Sequence, residues 1–324
     1  MKNKFLLLYS SNIAVNGKYR SAIYQLIKGE LIIIPTSFYK VLCDLKKMPY
    51  SAVLKKYQAE KKIFNSYIEY LFKENLAFFT TTPETFPRLK IEYHTAEIIN
   101  CAIVEFVGLY DFDNLMNELN TCNCKHMQLY FHNKQTDTFQ RILSLLESVY
   151  TSSLRSLELI INHFDSFQQP SLTSLITKHQ KLKFIRICNS SSNATHVING
   201  VEVLSLKVSM STYINDYQLD NFLVVNKDYF MESHFFNPYF NKKVYIGVSG
   251  EIKNDQYSKK KFGNIDTNKL SKIVNTSAFQ KIWKKIPKQL KESEFRYCLY
   301  NPSRKINVSK FRNCKVFAGK SLKE

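Results

Sequence analysis

Between residues 102 and 188 the sequence alternates short apolar runs with amphipathic stretches at a nearly constant interval, which constrains the fold more than any other feature. Strands are expected at 102–107, 127–131, 157–161 and 184–188, and helices at 113–119, 138–149 and 172–179. Strands and helices that alternate at this period pack as βα units on a mostly parallel sheet. Four strands do not close an eight-stranded barrel. A partial barrel or open sheet is therefore expected, continued by apolar runs at 203–208 and 222–225.

The flanks read differently. Strands are expected at 5–9, 22–26 and 31–34, separated by the turn formers Asn16-Gly17 and Lys28-Gly29-Glu30. Pro35-Thr36-Ser37 opens a helix that carries Phe38, Val41, Leu42 and Leu45 on one face. A second helix starts at Pro49, a third carries Ile63, Tyr67, Tyr70 and Leu71, and a strand at 76–79 precedes a Thr-Thr-Thr-Pro linker. This order describes a small winged-helix-like domain. In the last third, 243–253 reads as two strands around a Ser-Gly turn, and Lys261-Phe-Gly-Asn-Ile265 follows. A basic helix is expected from about Lys269 through Trp283 toward Pro287, then a loop-like basic tail. The expected organisation is α/β in three domains, 1–88, 89–225 and 226–324. A chain of 324 residues has room for two or three domains and buries a core without disulfide staples.

Charge divides the chain unevenly. The net charge is +19, yet residues 1–225 carry 24 basic and 19 acidic side chains, and residues 226–324 carry 22 and 8. Such an excess says little about fold and points to acidic or polyanionic partners, met mainly by the last third. Seven scattered cysteines do not form a disulfide framework. The apolar run at 5–9 is too short for a secretory signal, and no stretch approaches the ~20 apolar residues of a membrane span. A cytoplasmic protein with no membrane partner is expected, with the sequons at Asn193 and Asn307 arising by chance.

Few motifs carry chemistry. Cys122-Asn-Cys124-Lys-His126 groups soft ligands, but structural zinc sites need a second pair and none exists. It reads instead as a helix end leading into a buried strand. His163, Asp165 and Ser166 lie near a strand's C-terminal end, where α/β sheets bind ligands, but they read as a capped loop rather than a triad. Gly247-Val-Ser-Gly250 sits inside a hairpin and lacks the strand–turn–helix setting of a nucleophile elbow. Phosphate loops and dinucleotide fingerprints are missing, as is any Cys-x₂-Cys, so no cofactor is expected. A basic face is expected from Lys259, Lys260, Lys261, Lys281, Lys284, Lys285, Lys288 and Arg296, interleaved with Tyr245, Tyr257, Phe262, Phe279 and Trp283. Such a mixture suits single-stranded nucleic acid or an acidic peptide, and equally a solvated lysine surface.

Several short motifs occur in a recognisable order. They are Gly17-Lys-Tyr-Arg20-Ser-Ala-Ile-Tyr24, Ile34-Pro35, Tyr67-Ile-Glu-Tyr-Leu71, Phe78-Phe79-Thr, Phe86-Pro87 and Ile98-Ile-Asn100-Cys-Ala-Ile103. Toward the other end come Lys242-Lys-Val-Tyr-Ile-Gly-Val-Ser-Gly-Glu-Ile-Lys-Asn254, Phe262-Gly-Asn-Ile265, Phe279-Gln-Lys-Ile-Trp283 and Glu294-Phe-Arg-Tyr297. Together they resemble the SPASM-domain peptide maturases of grasp-with-spasm systems, over nearly the whole chain. The resemblance implies a winged-helix-like RiPP recognition element, a central partial (β/α) barrel like that of radical-SAM enzymes, and a C-terminal SPASM-like domain. Its pattern departs from the family at the cluster cysteines. The corresponding positions read Tyr239, Asp255, Leu290, Ser293, Cys298 and Ser303, and one thiolate does not hold an iron–sulfur cluster.

Three functions follow from these readings. The first is a non-catalytic adaptor in the maturation of a ribosomally made peptide, binding the precursor's leader and working with an ATP-grasp ligase or another maturation enzyme. The resemblance implies that Tyr19, Arg20, Ala22, Tyr24 and Leu26 pair with the leader as an added strand. The second is an iron–sulfur, radical-SAM-related peptide-modifying enzyme. The third is a nucleic-acid binder that uses the winged-helix-like start and the basic C-terminal region.

Overall fold

The computed structural model describes residues 4–132, 138–162, 169–216, 223–300, 314–320 and 322. The chain begins with β1 (Phe5–Leu8), β2 (Asn12–Asn16), β3 (Ser21–Gln25), β4 (Glu30–Ile34), α1 (Thr36–Leu45), α2 (Tyr50–Lys56), α3 (Lys61–Lys73) and β5 (Ala77–Thr80). The βα series follows as β6 (Cys101–Phe106), α4 (Phe112–Thr121), β7 (His126–Phe131), α5 (Thr138–Tyr150), β8 (Ser156–Asn162), α6 (Gln169–Lys178) and β9 (Leu182–Cys188). Next come β10 (Ala194–Ile198), β11 (Val201–Ser205), α7 (Met210–Asp216), α8 (Lys227–Glu232), β12 (Lys243–Ile246), β13 (Glu251–Lys253) and β14 (Gly263–Asn264). The last elements are α9 (Leu270–Val274), α10 (Ser277–Gln280), α11 (Lys288–Lys291) and β15 (Cys314–Val316). The architecture is mixed α/β. No helix among the described residues is long and apolar enough to cross a membrane.

Two compact units form, both discontinuous in sequence. One comprises Met1–Tyr93, Asn221–Pro238 and Ile286–Glu324, and the other His94–Asp220 and Tyr239–Lys285. The stretch 226–324, expected as a single basic domain, is thus shared between them. The expected basic helix from Lys269 is three short pieces, α9, α10 and a 3-10 turn at Lys281–Lys284. Thr276 interrupts it, its hydroxyl accepting the Phe279 N–H at 3.3 Å to cap a new start.

The second unit contains a nine-stranded sheet in the order β10-β11-β9-β8-β7-β6-β12-β13-β14. Pairing from β12 through β6, β7, β8 and β9 to β11 is parallel, and the strands outside them are antiparallel. β11 extends the sheet as expected. The run at 222–225 does not, because Leu223 bridges to Leu299 in the other unit's chain segments. Strand alternation places Ala102, Val104 and Phe106 on one face with Met127, Leu129, Phe131, Leu157, Leu159 and Ile161, all buried. Helix α4 packs there, with Phe112 against Phe106 at 5.1 Å between ring centroids. Asp111 caps this helix by accepting the N–H groups of Asp113 and Asn114. Right-handed crossovers between successive neighbouring strands place their helices on one side. The opposite face mixes Glu105, Gln128, Glu158 and Arg186 among apolar residues. A sheet with helices on both faces would read as continuous apolar runs instead.

In the first unit, β1 pairs with β5, and a separate sheet has the order β15-β4-β3-β2. Both faces of this four-stranded sheet are buried, with period-two alternation. Ile23, Ile32 and Ile34 meet Phe38, Val41 and Leu42 of α1 and Phe64, Tyr67 and Leu71 of α3. Ala22, Tyr24, Leu31 and Ile33 face the other way and meet Leu223, Val225, Phe230, Met231, Leu290, Phe295 and Cys298. Residues far along the chain therefore complete the core of its first sheet.

Candidate functional site

The hairpin β2–β3 is clasped by residues 292–296. Arg20 forms a close ion pair with Glu294 (Nη2 to Oε1, 2.8 Å), and its Nε donates to the same oxygen at 3.0 Å. The Tyr24 hydroxyl donates to the Glu294 carbonyl at 2.6 Å, and the Lys18 N–H donates to the Glu292 carbonyl at 2.8 Å. Gly17 permits this approach, since a Cβ there would lie 2.8 Å from the Glu294 nitrogen. Tyr24 is wholly buried, and burial, then Cys298 beside it, push its hydroxyl pKa far up.

This arrangement corrects the expected leader site. Strand β3 is hydrogen-bonded to β2 on one side and β4 on the other, so it has no edge to which a strand can add. Ala22, Tyr24 and Leu26 are core residues, and Arg20 is held by Glu294. Tyr19 is exposed, with the Lys18 ammonium 5.5 Å over its ring.

Among the described strands, β2 and β15 form the two edges of this sheet, and β2 is the edge next to β3. Leu26 N–H donates to the Ser11 carbonyl at 3.0 Å, which makes residues 13 and 15 the hydrogen-bonded partners of 24 and 22. The backbone groups of Asn12, Ala14 and Asn16 are thereby turned outward. The two ends of this edge are pinned: Asn12 N–H donates to the Tyr9 carbonyl at 2.8 Å, and the Arg296 guanidinium donates to the Asn16 carbonyl. Ala14 stands between them.

A groove of about 1070 Å³ runs beside this edge. Its walls include Tyr39, Leu42 and Cys43 from α1, Lys46 at the C-cap of that helix, Leu6–Leu8 from β1, and the segment from Phe86 to Ile91. Tyr9, Phe78 and Phe86 form an aromatic file at its rim, with centroid spacings of 5.0 and 4.7 Å. His234 and Tyr297 line it as a stacked pair 3.9 Å apart. The His234 Nδ1–H donates to the Phe230 carbonyl at 2.8 Å, and burial, rather than this bond, dominates and lowers its pKa.

Charge in the groove is mostly positive. Lys46, Arg88 and Arg296 line it, against the single carboxylate of Glu84. Burial, and then the nearby Arg88 guanidinium, lower the Lys46 pKa. Asp44, two residues from Lys46, is occupied by Lys56 at 2.6 Å and the Tyr57 hydroxyl at 2.7 Å. Sequence reading missed this edge because β2 is polar at both ends, with Asn12 and Asn16 flanking its apolar centre. Its signal was the apolar Ile13-Ala14-Val15 run before the Asn16-Gly17 turn, read as loop rather than as the partner of 21–25.

Two polar networks lie on the mixed face of the nine-stranded sheet. Gln128 donates to Glu158 at 2.9 Å, and Arg186 bridges Glu158 (3.2 Å) and Glu202 (2.8 Å). His132 meets Glu105 at 3.0 Å, and the Tyr245 hydroxyl donates to the other Glu105 oxygen. Burial alone would raise the Glu105 pKa, but hydrogen bonds from His132 and Tyr245 hold it below the usual value. Tyr130, Tyr213, Tyr245, Met210 and Cys188 pack together on this face. The networks therefore read as internal ties within a filled layer.

The remaining expected residues are divided between the two units. Lys259, Lys260, Lys261, Lys281, Lys284 and Lys285 belong to the second unit, and Lys288 and Arg296 to the first. Lys260 sits over Phe262 at 4.7 Å, and Lys261 is 3.9 Å from Glu251. Of the positions expected around a lost cluster, Tyr239 and Asp255 are in the second unit, and Leu290, Ser293 and Cys298 in the first. Leu290 and Cys298 are core residues, and Ser293 Oγ accepts the Phe295 N–H at 3.1 Å. Burial drives the Cys298 thiol pKa far up. Ser303 lies outside the described residues, as do His163, Asp165 and Ser166. Cys122 and Cys124 are buried where α4 leads toward β7, while His126 is exposed and bonds the Ser156 hydroxyl at 2.7 Å. Among the described residues, no group of three or more His, Cys, Asp or Glu side chains is placed to hold a metal ion. No protein-family model and no curated protein matches the chain.

Proposed function

We propose that this chain is a non-catalytic adaptor in the maturation of a ribosomally made peptide, holding an extended precursor segment along β2. The observation that carries this reading is the open β2 edge beside a partly apolar groove, the setting in which a peptide adds to a sheet by main-chain hydrogen bonds. In this reading the first strands and α1–α3 act as a winged-helix-like recognition element, and the parallel sheet is a catalytically silent partial barrel. The segments of 226–324 are remnants of a SPASM-like domain whose surface meets an ATP-grasp ligase or another cytoplasmic maturation enzyme. The iron–sulfur alternative is less well supported, since Leu290 is a core residue and Cys298 is the one thiol among its expected ligand positions.

The test is a fluorescence titration of the full chain with the peptide encoded beside its gene, followed by hydrogen–deuterium exchange on the complex. Slowed exchange at Ala14 and Asn16 is expected. Binding that leaves these amides unprotected, or no binding, would sink the reading.

A further inference from the structure

The groove carries information about the chemistry of its occupant. A strand added to β2 alternates its side chains between the two faces of the sheet. One face is the side of α1, where Ala14 packs with Leu42 and where Lys46 and Cys43 line the groove. The other is the side of Val15 and Phe230, where Arg296 and the His234–Tyr297 stack line it.

The cations on these two sides differ in what they already hold. Arg296 donates to the Asn16 carbonyl and, at 2.9 Å, to the Ser293 carbonyl, and it lies 4.9 Å over the Tyr297 ring. Lys46 and Arg88 are exposed side chains that line the same groove, and neither forms an ion pair with a described carboxylate. Two unpaired cations on one groove favour an anionic side chain there, by the modest amount of a solvent-exposed ion pair. An arginine beside a lysine offers a carboxylate both a planar fork and a point charge.

We propose that the groove selects an extended peptide with a carboxylate side chain facing Lys46 and Arg88 and apolar side chains at alternate positions. This rests on the reading of β2 as a strand-adding edge and adds the class of segment that it takes. Those alternate positions fall on the side of Val15 and Phe230, where they meet the Tyr297 ring. The carboxylate supplies the counter-charge that Asp44 gives instead to Lys56.

The experiment is a display selection from random dodecapeptides on the immobilised full chain, at physiological salt so that bulk attraction to a basic protein is screened. The selected pool is expected to show Asp or Glu at one position within an apolar alternation and to protect Ala14 and Asn16 from exchange. Replacing that residue by its amide should weaken binding about fivefold, the scale of a solvent-exposed ion pair. The Lys46→Gln/Arg88→Gln variant should lose the same factor with an unchanged melting temperature. A Lys259→Gln/Lys260→Gln/Lys261→Gln variant should lose none. Peptides that protect β2 but bind equally well as amides would overturn this proposal and leave the strand-adding edge standing. Protection elsewhere, or no enrichment, would remove both. Peptides that act by dissociating a dimer would assign the groove to a second copy, and overturn the acidic-peptide proposal.

Discussion

Replacing Tyr24 by Phe separates a structural role for that residue from a role in recognition. The hydroxyl donates to the Glu294 carbonyl at 2.6 Å and accepts the Tyr297 N–H at 3.4 Å, in wholly buried surroundings. The Phe variant keeps the ring, its edge contact with Phe230 at 5.3 Å and its volume. What it removes is the donor, leaving a buried carbonyl without that hydrogen bond. An unsatisfied buried polar group costs about 1–3 kcal/mol, so a loss of about 1.5–2 kcal/mol is expected. For folding units of this size, that lowers the melting temperature by about 3–8 °C. Circular dichroism reads the melt, and a titration with a β2-binding peptide reads recognition. Affinity should stay within twofold of the parent. An affinity drop of more than threefold with an unchanged melt would refute the structural assignment and restore Tyr24 to the binding surface.

Three further outcomes are expected. Ala14→Pro removes an outward N–H that no described strand pairs with. Proline is tolerated on such an edge, so peptide binding should fall at least tenfold while the melt moves little. Burial lowers the pKa values of His179 and His234. Their neutral forms are favoured by folding, so this stability is complete above the unfolded value near 6.5 and is lost as pH falls through the lower folded values. The melting temperature should therefore drop between pH 7 and pH 5, with a shallower slope in His234→Phe. Arg186→Met leaves Glu158 and Glu202 without their shared cation, at a cost of about 3 kcal/mol by chemical denaturation, and Arg186→Met/Glu158→Gln should recover part of it. Peptide affinity unchanged in both variants would agree with an internal tie, and a selective loss of affinity would not.

The parts of the fold that read clearly from sequence are those whose pattern is local. Strands β6–β9 and helices α4–α6 announce themselves because each carries its own periodicity. The alternation of Ala22, Tyr24, Leu31 and Ile33 with Ile23, Ile32 and Ile34 likewise implies a sheet buried on both faces. It does not say what covers the second face. Leu223, Phe230, Leu290 and Phe295 do so, and each reads locally as part of whatever surrounds it in sequence. The groove was hidden for a related reason. Arg20 and Tyr24 have the residue types of a binding surface, but Glu294, 274 and 270 positions away, engages both. That β3 is closed and β2 is an edge follows from the pairing of β3 with both β2 and β4.

The discontinuity of the first unit also dictates an order of events during synthesis. Strands β2–β4 leave the ribosome early, but the residues that shield Ala22, Tyr24, Leu31 and Ile33 arrive only with 223–231 and 290–299. Strand β15, which closes the β4 edge at Leu31–Ile33, comes later still. The parallel sheet of the second unit has most of its strands translated within that interval. The nascent chain therefore carries an uncovered apolar sheet face through most of its translation, a state prone to wrong associations and to chaperone capture. A fragment of residues 1–90 would keep that face permanently, so truncation at the first apparent linker should yield an aggregating product rather than an isolated recognition module.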